Sequence, residues 1–389
     1  TVTSSTTNIV QSDVTFQTDE STATSFTVNA STAFAIDLFT TENGGSSAAS
    51  TINITGGALT IDETATMLNQ TNASVYTMKI AEAASVLLGG AAVVGSNGTF
   101  NVELQGSSFT AQEADAQAIA FNFDSDAGAD GTLNALQAGV KAFAGTVGAT
   151  NGLAAINIGN ATDDAGASFA ETVKATTITI LSGEGTGENS SATFAKAVTG
   201  SIVMTDGAHA DSHALLNFTG SAAQVALSGT ITGSTARSGA DTLVTVIDSA
   251  SGAAAAQTFS GQVGTSANKI GTITVGADGG NAGIAIFSEE VFSTNLAVIA
   301  GGSGEASTVT LNKAFTGTAI TLDDATALGS LVVAGTDTTI AGTINGAGAD
   351  GEGTLQITGA GTTISGHVGA TGSRSLLAID VNAATSFSG

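Results

Sequence analysis

The motif FAGTVG at 143–148 returns as FSGQVG at 259–264 and as ISGHVG at 364–369. After a short gap each copy leads into a strand-like segment: LAAINI, KIGTITV or LLAIDV. Other matches keep the same order. TFAKAVTGSIVM at 193–204 aligns with TLNKAFTGTAIT at 310–321, setting Lys196 opposite Lys313, while SFAETV at 168–173 aligns with IFSEEV at 286–291 and GTITG at 229–233 with GTING at 342–346. The repeat length is roughly 110 residues. Such repetition restricts the chain to architectures in which each unit buries an apolar face against the next. It divides the sequence into an N-terminal β-rich region (1–142), two units (143–258 and 259–363) and the start of a truncated third (364–389).

The absence of proline among 389 residues narrows the choice further. Proline deletes a ladder hydrogen bond, so a nearly continuous sheet avoids it. Turns fall instead to Gly, Asp, Asn and Ser, as in GGSSAAS (44–50), DAGADG (126–131), GEGTGENSS (183–191), GADGG (276–280) and GAGADGEG (346–353). Between them TTITIL (176–181), GTITV (271–275), STVTL (307–311) and TLQIT (354–358) read as strands. The segment 135–144 has the best helical pattern but is read as strand or loop. A mean hydropathy of +0.30 argues against disorder. The predicted fold is all-β, a parallel β-solenoid with internal repeats; tandem Ig-like β-sandwiches are the alternative, because one sandwich also needs about 100 residues.

The run from about 143 to 389 resembles the β-strand-repeat passenger regions of bacterial autotransporter-type and surface-layer-like extracellular proteins. The resemblance is carried by FxGxVG with its following strand and by GTINGAGADGEGTLQITGAGTTISGHVG at 342–369. It implies a parallel β-solenoid and a role in surface scaffolding or adhesion. The aromatic-rich C-terminal barrel that anchors autotransporters has no counterpart here.

Charge sets the partners. Eight Lys and Arg against 33 Asp and Glu leave a net charge of −25 and no basic footprint for nucleic acid. With no cysteine, neither disulfides nor thiolate metal sites are available. The start at Thr1 suggests removal of a signal segment or a fragment of a longer chain, and the most apolar run, SVLLGGAAVV at 85–94, is too short for a membrane helix. The expected location is extracellular or at the cell surface. VNAATSF at 381–387 resembles VNASTAF at 28–34, as though N-terminal strands continue what the C-terminal repeat begins. The expected partner is therefore the chain itself, stacked head-to-tail, with cell-surface polysaccharide as a second partner. The reading is a structural subunit of an extracellular filament or surface layer, or alternatively an adhesin passenger.

Candidate chemistry is sparse. Asp124, Asp126 and Asp130 in DSDAGADG carry oxygens at spacings that suit calcium, the one cofactor the sequence suggests, although the distal Glu of a standard loop is missing. Asp163 with Asp164, Asp323 with Asp324, Asp278, and Asp350 with Glu352 read as solvated turns. Asp206, His209, Asp211 and His213 in DGAHADSH read as a polar loop, and His367 as an exposed strand residue. Asn-x-Ser/Thr triplets mark Asn29, Asn53, Asn69, Asn72, Asn97, Asn160, Asn189 and Asn217 as glycosylation candidates. No catalytic residues are assigned: three His, two Arg, Tyr76 alone and no Trp offer neither a triad nor a sugar-stacking platform.

Overall fold

The structure, a computed structural model, describes the chain apart from residues 1, 5–7, 10–13, 19–24, 31–32, 37–38, 44–48, 62, 68–73, 83, 95–97, 113–114, 208, 210, 234–242, 247–254, 278–280, 303, 324–327, 349, 370–373 and 389; for the rest of 2–49, and for 67, 74, 225 and 243, it describes the backbone alone. The described residues are all-β, with no helix, and every described strand pairing is parallel. Successive strands of each sheet come from successive coils of a β-solenoid. Antiparallel Ig-like sandwiches are thereby excluded. The segments read as strands form Val173–Leu181, Ile270–Val275, Ser307–Leu311 and Thr354–Ile357, and 135–144 holds a turn followed by strand Val140–Phe143.

The chain forms two compact units, Thr1–Leu181 and Ser182–Gly389. In the first unit each coil has three faces. Face one includes Ala49–Ile54, Ser74–Ile80, Gly98–Leu104 and Asn122–Ser125; face two includes Gly57–Ile61, Ala84–Leu88, Ser108–Ala111, Asp130–Ala135 and Leu153–Ile158; face three includes Ala92–Val94, Gln117–Ile119, Val140–Phe143 and Gly166–Phe169. Alternation decides what goes inside: in Gly98–Leu104, Phe100, Val102 and Leu104 are buried while the residues between them are only half-buried. Because coils stack in register, like residues meet inside: Phe143 lies over Phe169 with ring centroids 5.0 Å apart. Phe109 and Phe123, from the other two faces, close on the same interior, with centroids 5.0 Å between Phe109 and Phe123 and 5.9 Å between Phe123 and Phe143. Each such side chain contributes about 1.5–3 kcal/mol by burial, plus its aromatic contacts.

The second unit also has three columns of inward residues. One runs Phe259, Phe287, Leu311, Val333, Ile357, Val381. The next runs Val263, Val291, Phe315, Ile340, Ile364, Phe387, and the third Phe194, Phe218, Val246, Val275, Val298, Leu322.

These columns explain the FxGxVG motif as a corner. Its first residue is the last inward side chain of one face and its Val is the first of the next, bridged to the coils on either side for Val147 and Val263. At the first glycine, a Cβ on Gly145, Gly261 or Gly366 would collide with a carbonyl oxygen of the neighbouring coil, that of Phe121, Gly229 or Gly342. The second glycine, Gly148, Gly264 or Gly369, has φ of 71°, 72° or 71°, the left-handed region where glycine carries no Cβ penalty. Its amide donates to the carbonyl of Phe123, Ile231 or Ile344, closing the corner.

The copies do not mark the same corner. Phe259 opens one copy, yet Ile364, which opens the next, stands in the column of Val263. Four coils carry Phe259 to Ile357, and Ile364 lies one face beyond. The Lys196 and Lys313 match shows the same offset, since Phe194 belongs to the Val275 column and Leu311 to the Phe259 column. The repeat spacing within this unit is four coils plus one face.

Candidate functional site

The acidic turn at 124–130 lies beside a cleft of about 400 Å³ in the first unit. The floor is the outward side of face one, where Thr77, Asn101 and Asn122 occupy successive rungs. The Asn122 amide donates to Asn101 Oδ1 at 3.1 Å, and Lys79 Nζ donates to Glu103 Oε1 at 3.0 Å, so the rungs are linked by polar ladders. The loop after the FAGTVG corner forms a wall. Its Thr150 and Asn151 amides donate to Asp124 Oδ2 and Oδ1 at 3.1 and 2.7 Å, and the Ser125 amide adds a third bond at 3.2 Å. In return Asn151 Nδ2 donates to the carbonyls of Ser125 and Asp126.

Of the three candidate calcium ligands, the structure joins two. Asp126 and Asp130 share a side-chain hydrogen bond, and the Asp130 carboxyl is held above its ordinary value, first by burial and then by that bond and the Asp126 charge; a backbone bond from Gly106 opposes the shift. Asp124 is committed to amides of the next coil. Among the described residues no three His, Asp or Glu side chains are grouped to hold a metal ion.

The other acidic turns repeat this use of a carboxylate. Asp350 Oδ1 accepts from the Ser375 amide and hydroxyl at 3.1 and 3.0 Å, Glu352 Oε2 from the Gly348 amide at 2.6 Å, and Asp206 Oδ1 from the Ala214 amide at 2.7 Å. Asp163 lies in a turn closed on Asn160, with Oδ2 accepting from Thr162 Oγ1 at 3.0 Å. Asp164 is half-buried beside it, and the backbone amide of Asp323 donates to Val298. Asp278 and Asp324 lie outside the described residues. Turns without proline or disulfides thus get much of their fixing from charge-assisted bonds to backbone amides.

In DGAHADSH, His209 is exposed, with Nδ1 3.5 Å from Thr186 Oγ1, and Asp211 is also exposed. His213 is half-buried; its amide donates to Asn189 Oδ1 at 2.6 Å and its Nδ1 has no partner among the described residues. His367 sits exposed at the third FxGxVG corner, where its carbonyl accepts from Ile344. Among the glycosylation candidates, Asn53 and Asn217 lie in strands, the latter 3.4 Å from Thr193 Oγ1. Asn160 and Asn189 lie in turns where their side chains already hold backbone groups. Asn29 lies in strand Ser25–Ala30, and Asn69, Asn72 and Asn97 fall outside the described residues.

Sequence reasoning missed the one fully buried cation among the described residues. Lys141, 0% exposed, points into the first unit's interior, its Nζ 2.7 Å from Ala138 O, 3.1 Å from Gln137 O and 3.4 Å from Asp115 O. Its rung partner Gln117 is buried too and donates to the carbonyls of Leu88 and Gly90. In the second unit Gln257 donates to Gly220 O and Ala222 O, both at 3.0 Å. Long polar side chains thus supply donors to turn carbonyls from inside the coils.

Comparison with protein-family models, with curated proteins and with solved structures finds no match for this chain. No helix of the described residues is long and apolar enough to cross a membrane.

Proposed function

We propose that this chain is a non-enzymatic structural subunit of an extracellular filament or surface layer, assembling head-to-tail through β-strand stacking. The observation that carries the reading is the coil at 377–387. Ile379 and Val381 lie in register over the buried Leu355 and Ile357, and Phe387 over the buried Ile364, so this coil carries the core columns and the parallel ladder onward and offers the same pairing to a further coil. A parallel strand edge of this kind is a template for another strand. A second copy stacked in register would extend both ladder and columns, a heterologous contact that propagates.

The echo of VNASTAF in VNAATSF supports a shared geometry. Each spans the end of one strand and the start or body of the next: Ser25–Ala30 and Ala33–Ile36, and Ala378–Val381 and Thr385–Phe387. The secreted, surface location follows from the resemblance to passenger repeats and from the acidic, cysteine-free composition.

Negative-stain electron microscopy of the purified chain, with calcium and with chelator, tests the reading. Filaments or sheets that disappear in Ile379→Lys support stacking through this coil, and their loss in chelator would give calcium a part in the contact. Isolated rods under both conditions overturn it.

A further inference from the structure

Head-to-tail stacking gives the face-one cleft no task, and its size falls within the range of small-molecule sites. Three rungs of its floor span about 10 Å at the usual strand spacing. Several groups lining it hold polar atoms without a partner among the described residues: the Thr77 and Thr150 hydroxyls, Asn101 Nδ2 and Glu103 Oε2. The wall is fixed in place by the Asp124 and Asn151 bonds, so the cleft is built before any ligand arrives.

Its chemistry eliminates most ligand classes. An anion would meet Glu103, Asp124 and Asp126 in a chain of net charge −25. A divalent cation would find Asp124 committed to three amides and Glu103 Oε1 to Lys79 and Gln105, and no three carboxylates are grouped to hold it among the described residues. An apolar ligand would leave the floor amide and hydroxyls buried without partners. A hydroxyl-rich neutral molecule meets all of them, because each hydroxyl both donates to a carboxylate and accepts from an amide.

We propose that this cleft binds a neutral saccharide one or two rings long. It gives the expected polysaccharide partner a place on the molecule and rests on no part of the stacking reading. The buried Phe123 offers no exposed ring on which a sugar could stack, so affinity is expected in the millimolar range.

The test is an NMR titration of the whole chain with maltose, cellobiose, lactose and N,N′-diacetylchitobiose, read on backbone amides. Saturable shifts confined to 98–104, 122–125 and 146–151 for at least one sugar are expected. Affinity should fall at least tenfold in Asn101→Leu and in Thr150→Val, and stay unchanged in Thr274→Val on the second unit. Should Asn101→Leu misfold, Thr150→Val, which keeps its amide on Asp124, carries the test. No saturable shift at millimolar sugar, or binding unaffected by both cleft variants, overturns the proposal. So do the same shifts on calcium chloride alone, which would make the cleft a cation site. Because the readout is local, rods that never polymerise can still bind, and filaments can fail to.

Discussion

Replacing Lys141 by Met keeps the length of the side chain and removes its donors. Nζ makes two short bonds to backbone carbonyls, 2.7 Å to Ala138 and 3.1 Å to Gln137, with longer contacts to Asp115 and Gly139 at 3.4 and 3.5 Å. Hydrogen bonds to a charged group contribute about 1.5–3 kcal/mol net each, so the two short ones together set a loss of roughly 3–6 kcal/mol. Two effects pull that down. Ala138 and Gly139 are exposed and their carbonyls can take water instead, and Met escapes the cost of holding a charge inside the coil. The lower end, about 3 kcal/mol, is expected for Lys141→Met, and about 5 kcal/mol for Lys141→Ala, where a cavity is added. Tyr76, the sole tyrosine in a chain without tryptophan, is fully buried in the same unit and reports its unfolding by fluorescence in urea. If Lys141→Met is within about 0.5 kcal/mol of the parent chain, or more stable, desolvation outweighs the carbonyl bonds and the reasoning fails.

Further substitutions separate causes that the fold combines. Asp130 has a folded value above its ordinary 3.8, so the folded state binds the proton more tightly and its contribution to stability is lost as pH rises from near 3.8 through the folded value. Asp130→Asn should therefore gain stability relative to the parent as pH rises through that window; a difference in urea midpoints that is flat with pH would refute this. Gly261→Ala should cost about 1–3 kcal/mol through collision with the Gly229 carbonyl. Gly304→Ala, with open space around it but φ of 83°, should cost about 1–2 kcal/mol through backbone strain alone. Asn adopts the left-handed region more readily than Ala, so Gly304→Asn should lose less than Gly304→Ala, whereas Gly261→Asn should be no better than Gly261→Ala; equal relief at both positions would show that sterics were misassigned.

What the sequence made legible was whatever depends on period two. Phe100, Val102 and Leu104 alternate with Thr99, Asn101 and Glu103, and the strand, its burial and its polar outer row all follow from that. Lys141 was readable by the same rule: it stands two residues before Phe143, and a strand that buries Phe143 must bury the position with the same parity. A lysine at such a position is unusual, because Lys is almost never fully buried unless its charge finds partners. Asp124 was unreadable for a different reason. Local spacing joins it to Asp126 and Asp130, but its partners are amides of Thr150 and Asn151, which become neighbours only once the length of a coil is known.

Coil length is what the repeat concealed. A corner needs an inward apolar residue, a glycine against the neighbouring carbonyl, a valine to start the next face and a glycine at positive φ; those demands are alike wherever two faces meet. Nothing ties the motif to one particular corner, so it can recur after four coils plus one face as readily as after a whole number of coils. Stability then resides in nearest-neighbour stacking, coil on coil, and a register that advances by one face does not weaken it. The same independence bears on assembly. On the stacking proposal, a second copy need not match the repeat phase of the first; it needs only a coil whose columns continue those of Ile379, Val381 and Phe387.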